Sequence, residues 1–445
     1  MIACAVLTLT LHSTSAQGDT YTKRLERAAT LIVENRLDEA EKQLVSLLRV
    51  APNRAAALDL LGTVRAKQGR LDEAGTLFKR AIRADNQLIG AHLNLAYLYL
   101  LKGMPEKTAL ELREVLRLDP DNADASYKLA WLLLSQARLD ECISLIEKLQ
   151  QSRPLTVPML IVLGDAHVKK GNIDQAEKAY LAISEQSQNA DALLGMARVS
   201  QSRRNLNAAL EYLQRAKEFL ADSPDRLYKF AAAAFGLNLN DDAIWALRRA
   251  IKIRPDEPSY YLVLGIVQLA LKNPDLQDAE ESFRECLKRQ PGNAQARLHL
   301  GYVLLKQKKY PDAQVWLEKS IQKQTPSPEA FYYLGLIAQE QNENEKAIEL
   351  FQKAIQLEPA FAYAHIALGA VHLKLKNYTR AQQELEIGVK INPQSSKAHY
   401  NLAILYARLK DPQRAQEEMR IIEKLKSEGK TQENEVDTLA PAAPR

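Results

Sequence analysis

The stretch FYYLGLIAQEQNENEKAIELFQKAIQLEP, residues 331–359, decides the fold. Gly335 is followed twelve residues later by Ala347, seven later by Ala354 and five later by Pro359. The same order of small residue, Ala, small or apolar residue and Pro occurs at Ala231, Ala243, Ala250 and Pro255. It occurs again at Ala28, Ala40, Leu47 and Pro52, and at Gly369, Ala381, Gly388 and Pro393. A fixed period of this length marks a chain built from stacked copies of one supersecondary unit.

Taking the first small residue as an anchor, the series is Ala28, Gly62, Ala96, Ala130, Gly164, Ala197, Ala231, Gly265, Gly301, Gly335, Gly369 and Ala403. The step is 34 residues except for 33 between Gly164 and Ala197 and 36 between Gly265 and Gly301. Lys272-Asn273-Pro274-Asp275 accounts for the longer step as a turn-forming insertion. Leu usually precedes the anchor, and further apolar residues follow at three- and four-residue steps, the signature of an amphipathic helix. Polar turns such as Gln68-Gly69-Arg70 and Lys170-Gly171-Asn172 separate two helices per unit. Pro52, Pro120, Pro154, Pro255, Pro291, Pro359 and Pro393 close the second helix, because Pro cannot continue one. Asn86, Gln188 and Ala221 stand where those prolines would be. The small residues are expected where the two helices of a unit approach closest, Gly or Ala facing Ala across the pair.

The pattern Leu334, Gly335, Ala347, Phe351, Ala354, Pro359 resembles the tetratricopeptide repeat family, over residues 21–427. The resemblance implies an all-α, right-handed superhelical solenoid of about twelve helix-turn-helix units, with a concave groove that holds a partner segment. In that family the groove is lined from the first helix of each unit, three before and one and four after the anchor. Carried over, these positions give Tyr97, Leu100, Tyr127 and Trp131, then Tyr228 and Phe235, and further on Tyr302, Tyr332 and Tyr400. Aromatic side chains with a polar tip suit an interface. The competing reading is that some of them pad the seam between helices.

A single core does not usually serve a chain of 445 residues, but a solenoid grows by adding interfaces between neighbours. The formal net charge of +5 is small, and pairs such as Arg203-Arg204 and Lys308-Lys309 are isolated, so no clustered basic stripe for nucleic acid is present. Acids lie six before the anchor (Asp124, Asp191, Asp225, Glu329) and bases five after it (Lys67, Lys169, Lys306, Lys374, Arg408). These lines could edge a groove, but acids near a first turn and bases near a last one also suit the helix dipole, and that explanation is preferred.

The apolar run Ile2–Leu11 followed by Thr14-x-Ala16 has the order of a secretory signal peptide over residues 1–16, without a basic residue ahead of it. Export to a periplasmic or extracellular compartment in a bacterium is therefore expected, with a cytoplasmic location as the alternative. Residues 17–20 read as a short linker, and 428–445, polar and then Pro/Ala-rich, as a disordered tail. Cys142 and Cys286 sit at packing positions and read as buried thiols.

Catalytic motifs are missing: there is no nucleophile elbow, phosphate loop or CxxC pair. His365 and His372, seven apart on one helix, are too far apart to share a metal, and packing explains them better, as it does His399 one repeat on. The expectation is a non-enzymatic scaffold or adaptor binding a protein or peptide segment. No cofactor, metal, nucleic acid or integral membrane span is expected. The alternatives are a structural assembly subunit of a bacterial envelope complex (secretion, pilus or polysaccharide export) and an accessory subunit of a glycosyl-modifying enzyme.

Overall fold

Every anchor lies in the first helix of a helical pair in a computed structural model of the chain, which describes residues 16–184, 188–322 and 327–428. Among the described residues there are helices and no strands. They divide into two compact units, the break falling between Asn205 and Leu206, although the 34-residue register passes from Ala197 to Ala231 without interruption.

The first unit pairs α1 (Ala16–Val33) with α2 (Leu37–Val50), α3 (Ala55–Lys67) with α4 (Leu71–Ala84), and α5 (Ile89–Leu101) with α6 (Pro105–Leu118). It continues with α7 (Ala123–Ser135) and α8 (Leu139–Ser152), α9 (Val157–Lys170) and α10 (Ile173–Ser184), and α11 (Ala190–Ser202). The second unit begins with α12 (Leu206–Glu218). It then pairs α13 (Pro224–Gly236) with α14 (Asn240–Ile253), α15 (Pro258–Leu269) with α16 (Leu276–Arg289), and α17 (Ala294–Lys306) with α18 (Tyr310–Ile321). The last pairs are α19 (Pro328–Glu340) with α20 (Asn344–Leu357), α21 (Ala362–Lys374) with α22 (Tyr378–Ile391), and α23 (Ser396–Arg408) with α24 (Pro412–Ser427). Residues 17–20 belong to α1, not to a linker. Residues 1–15 of the expected signal segment and 429–445 of the expected tail lie outside the described residues. None of the described helices is long and apolar enough to cross a membrane.

The prolines act as read: each of the seven lies two residues beyond the end of a second helix. The turn inside each hairpin has a cause that the composition does not display. The residue seven after the anchor is left-handed in eleven of the twelve units. Gly69, Gly103 and Gly171 adopt it without a Cβ penalty, and Asn35, Asn238 and Asn342 tolerate it. Ala137, Arg204, Lys308, Lys376 and Lys410 occupy it at φ between 57° and 63°. The next residue then bonds back to the helix end, as Arg138 N does to Leu133 O at 2.9 Å, which closes a Schellman-type stop. The exception is the unit with the insertion, where Asp275 instead caps α16 through the amides of Gln277 and Asp278.

The anchors are small for a reason different from the one expected. A Cβ on Gly335 would lie 2.4 Å from Cε1 of Phe351, sixteen residues on, and one on Gly62 would lie 2.6 Å from Cε1 of Phe78. Gly164 stands in the same way against Tyr180, Gly301 against Leu317 and Gly369 against Leu385. The anchor therefore faces a large side chain of the second helix, not the Ala twelve residues away. Where the anchor is Ala, the position sixteen later holds Leu44, Leu112, Ile146, Leu213, Leu247 or Met419, and never an aromatic ring. Each aromatic ring at this position stands opposite Gly, while an aliphatic side chain stands opposite Gly or Ala, so the bulkiest partner takes the smallest anchor, as close-packed interiors require.

Candidate functional site

Tyr97 and Leu100 project from α5, and Tyr127 and Trp131 from α7, into one crevice of the first unit. Thr108 and Leu112 of α6 form its floor together with Ala96 and Leu132, and its volume is about 220 Å³. Trp131 remains 47 % exposed and Leu100 37 % exposed at the mouth. Leu101 and Met104, just beyond, are exposed as well. Four residues expected on a binding face therefore meet here, around an apolar hollow open to solvent.

One edge of the crevice is polar. Asp124, in the first turn of α7, accepts hydrogen bonds from the Tyr97 hydroxyl and from Nζ of Lys128. Lys128 Nζ also lies 4.7 Å from the Tyr97 ring centroid. Burial, and then the adjacent Asp124 carboxylate, push the Tyr97 hydroxyl pKa up, so this phenol stays protonated as a donor. Asp124 thus belongs to the site by a route the sequence reading had only as part of a charge line.

The remaining expected residues do not join this crevice. Tyr302 is 3 % exposed and Tyr332 1 % exposed. Both pack in a seam of rings, with Tyr302 to Tyr333 at 5.2 Å between centroids and Tyr332 to Phe361 at 5.6 Å. For these two the seam reading is correct and the groove-facing one is not. Tyr228 is half-buried, with its ring 5.5 Å from that of Tyr260, and Phe235 is half-buried against the core of the second unit. Tyr400 is 54 % exposed on α23.

The contrast between Tyr97 and Tyr302 has one visible cause. Both stand one residue after their anchor, and each meets the residue two before the next anchor. That residue is Lys128 against Tyr97 and Tyr333 against Tyr302. An aromatic ring fills the space between successive first helices. A lysine stem held back by Asp124 leaves it open.

Several members of the two charge lines bind nearby helix ends and turns. Lys67 Nζ donates to the Ile32 carbonyl at 3.2 Å, and Lys374 Nζ donates to Asn342 Oδ1 at 2.8 Å, both at helix ends one unit earlier. Asp225 pairs with Arg254 at 2.8 Å, and Glu329 accepts from Ser327. A further ladder, absent from the sequence reading, joins the end of a first helix to the second helix of the preceding unit. It includes Lys102 to Asp72 at 2.5 Å, Gln136 to Glu106 at 2.9 Å and Arg203 to Asp174 at 2.6 Å. Being exposed, such contacts fix orientation more than they stabilise.

Inside the first unit lies a buried carboxyl that periodicity could not reveal. Asp59 of α3 is 2 % exposed and accepts from Asn94 Nδ2 of α5 at 2.9 Å. Burial raises its pKa to about 6, the Asn94 hydrogen bond offsetting only part of that rise. Cys142 and Cys286 are buried free thiols, each pushed up to about 11 by burial. Among the described residues no group of three or more His, Cys, Asp or Glu side chains is placed to hold a metal ion.

Comparison with known proteins places these features. Family profiles described as tetratricopeptide repeat match residues 25–89, 103–160, 161–224, 270–334 and 386–417, and one described as TPR repeat matches 339–376. The human Protein O-mannosyl-transferase TMTC3 is 22 % identical over 318 residues, which is 67 % of this chain and 35 % of that one. This chain thus spans about a third of the length of the curated relative it matches. Among solved structures, the APC/C hetero-tetramer Cut9–Hcn1 is similar with a TM-score of 0.49 at 16 % identity, covering 87 % of this chain and 85 % of that one. A repeat protein from Parabacteroides merdae gives 0.47 at 19 %, covering 56 % and 99 %. Pseudomonas aeruginosa pilF gives 0.41 at 22 %, covering 45 % and 91 %.

Proposed function

Since the chain belongs to the tetratricopeptide repeat family, we propose that it is a non-enzymatic scaffold for a protein partner. The crevice between α5, α6 and α7 anchors one bulky apolar side chain of an extended or helical partner segment. The observation that carries this is the open apolar hollow of about 220 Å³ with Trp131 at its mouth. A cavity of about 150 Å³ lined by aliphatic and aromatic groups already takes a benzene-sized molecule, so this volume suits one aromatic or branched side chain. Rigid aromatics beside a desolvated pocket are where binding energy concentrates. The Tyr97–Asp124–Lys128 edge would orient the segment and discourage a charged anchor.

The test is in-cell cross-linking and pull-down from the native host, comparing wild type, Tyr127→Ala/Trp131→Ala and Lys128→Tyr. The last variant places at 128 the residue type that fills the same space beside Tyr302. Both variants should lose the partner by roughly 30-fold or more, the weight of a hot spot of about 2 kcal/mol. A partner held equally well by both variants refutes the assignment. A partner lost only when a terminal repeat is trimmed would favour a role in envelope assembly.

A second reading rests on the human relative, whose name is that of a mannosyl-transferase. On this reading the chain is an accessory subunit that holds the acceptor or the catalytic chain of a glycosyl-modifying enzyme. Recovery of a glycosyltransferase in the same pull-down, lost with the crevice variants, would establish it. Export is part of the proposal on the strength of residues 2–16, and the intact mass of the protein from fractionated host cells decides it.

A further inference from the structure

Three histidines recur at one register position, four residues before the anchor: His92, His365 and His399. Each is buried, and each is held in the same two-sided clasp. Nδ1 of His365 lies 2.6 Å from Oε2 of Glu384 and its Nε2 lies 3.1 Å from the Pro359 carbonyl. Nδ1 of His399 lies 2.5 Å from Oε2 of Glu418 and its Nε2 lies 3.0 Å from the Pro393 carbonyl. His92 repeats the arrangement with Glu111 at 2.7 Å and the Asn86 carbonyl at 3.2 Å.

The chemistry of the partners fixes the proton count. A backbone carbonyl can only accept, so Nε2 carries a hydrogen. Nδ1 then faces a carboxylate oxygen at hydrogen-bond distance, and a proton must lie between them. Each clasp therefore holds one proton more than a neutral imidazole beside a carboxylate. His299 provides the contrast. It is buried against the ring of Phe283 at 5.4 Å without a carboxylate partner, and burial alone pushes it down to about 3, so it stays neutral.

We propose that the last two hairpins, α21–α22 and α23–α24, are closed by a proton-dependent latch, in which His365 and His399 tie each first helix to its second helix and to the preceding turn. Position gives the latch its effect. Each clasp lies inside one hairpin, and a repeat array opens locally, so the shared proton acts on the hairpin that holds it. Losing the shared proton leaves either a buried carboxylate or a buried carbonyl without its donor, and the hairpin opens more readily.

The charged surroundings fit this role. Facing His365 is Glu384 of α22, whose carboxylate also acts on His372, itself lowered by burial and then by Arg380. Facing His399 is Glu418 of α24, which with Glu386 of α22 and Arg414 of α24 also surrounds the Tyr406 hydroxyl. For His365 and His399 burial works against the charge, but the hydrogen bonds to the glutamate and to the proline carbonyl outweigh it and the pKa is raised. A His raised in the folded state stabilises fully below its unfolded value and loses that contribution as pH rises through the folded one. The two clasps thus hold α21–α24 more tightly in mildly acidic solution and loosen on the alkaline side, while His372, lowered by burial, opposes them only as pH falls below the ordinary histidine value.

The test uses the full chain. Hydrogen exchange read by mass spectrometry at pH 6.0 and 8.5, corrected for intrinsic exchange, should show opening of α21–α24 increasing relative to α17–α20. The increase should be about threefold per clasp for each half unit by which the histidine pKa is raised. His365→Gln/His399→Gln should abolish that difference. Should the double variant fail to fold, histidine NMR on wild type decides: the midpoints of His365 and His399 should lie above about 6.5, the ordinary histidine value. Midpoints at or below that value, or an equal pH response in wild type and variant, overturn the latch.

Discussion

Gly335→Ala adds one methyl group, and its cost can be worked from the structure. The new Cβ would lie 2.4, 2.7 and 3.0 Å from three ring atoms of Phe351. Phe351 is fully buried in the largest cluster of the second unit and packs against Tyr332 at 5.9 Å between centroids, so its ring cannot turn aside. Overpacking of this kind costs about 1–3 kcal/mol, and three crowded ring atoms put it near the upper end. Ala in place of Gly inside a helix returns about 1 kcal/mol. The net loss is about 2 kcal/mol, or roughly a 30-fold rise in local opening of α19–α20. Phe351→Leu alone should cost about 1–2 kcal/mol for its lost packing. Ala opposite Leu is the pairing already present at Ala28/Leu44, Ala96/Leu112 and Ala231/Leu247. Gly335→Ala/Phe351→Leu should therefore be more stable than Gly335→Ala alone, with a coupling of about 3 kcal/mol, the overpacking that the smaller side chain relieves. Native-state hydrogen exchange of α19 and α20 reads all three variants locally, which suits a repeat array whose unfolding need not be two-state. Additive losses, or a neutral Gly335→Ala, would refute the size-matching argument, and the larger change Gly335→Leu should open the pair outright.

Ala137→Gly should raise the stability of the α7–α8 hairpin by up to about 1 kcal/mol. The left-handed turn costs Ala about 1–2 kcal/mol and the glycine entropy returns part of that loss. Exchange protection of α7 and α8 checks it, and an unchanged value contradicts the turn assignment. Asp59→Asn should stabilise the first unit near neutral pH by on the order of 2 kcal/mol while keeping an acceptor for Asn94. The sign follows from a folded pKa of about 6 against 3.8 for the free group: the protonated acid is favoured in the fold, so wild type loses stability as pH rises from about 4 to 6. Stability curves that run parallel for wild type and Asp59→Asn across that window would count against it.

The fold was legible because every unit repeats the same packing problem, and each copy adds evidence for the period. Pro359 and its equivalents end helices through a property of the residue itself, so their reading survives any tertiary context. The left-handed turns were less visible. Lys308, Lys376 and Lys410 take a conformation that their identity does not announce, imposed by the helices on either side. The partner of each anchor was misread for a related reason. Small residues twelve apart attract attention, but the contact that demands smallness comes from the large side chain sixteen away.

The site was legible only in part, and the reason lies between repeats. Tyr97 and Tyr302 share a register position, and nothing within their own units separates a crevice wall from a core residue. The difference is made one repeat later, by Lys128 in one case and Tyr333 in the other. Lining positions carried over from a family therefore name where a groove could lie, and the residue two before the next anchor decides whether it stays open. The same logic explains the three histidine clasps. Each histidine reads singly as a packing residue. Its partner glutamate, nineteen residues on, looks like one more charge on an exposed helix, and only the stacked hairpin brings the proton they share into view.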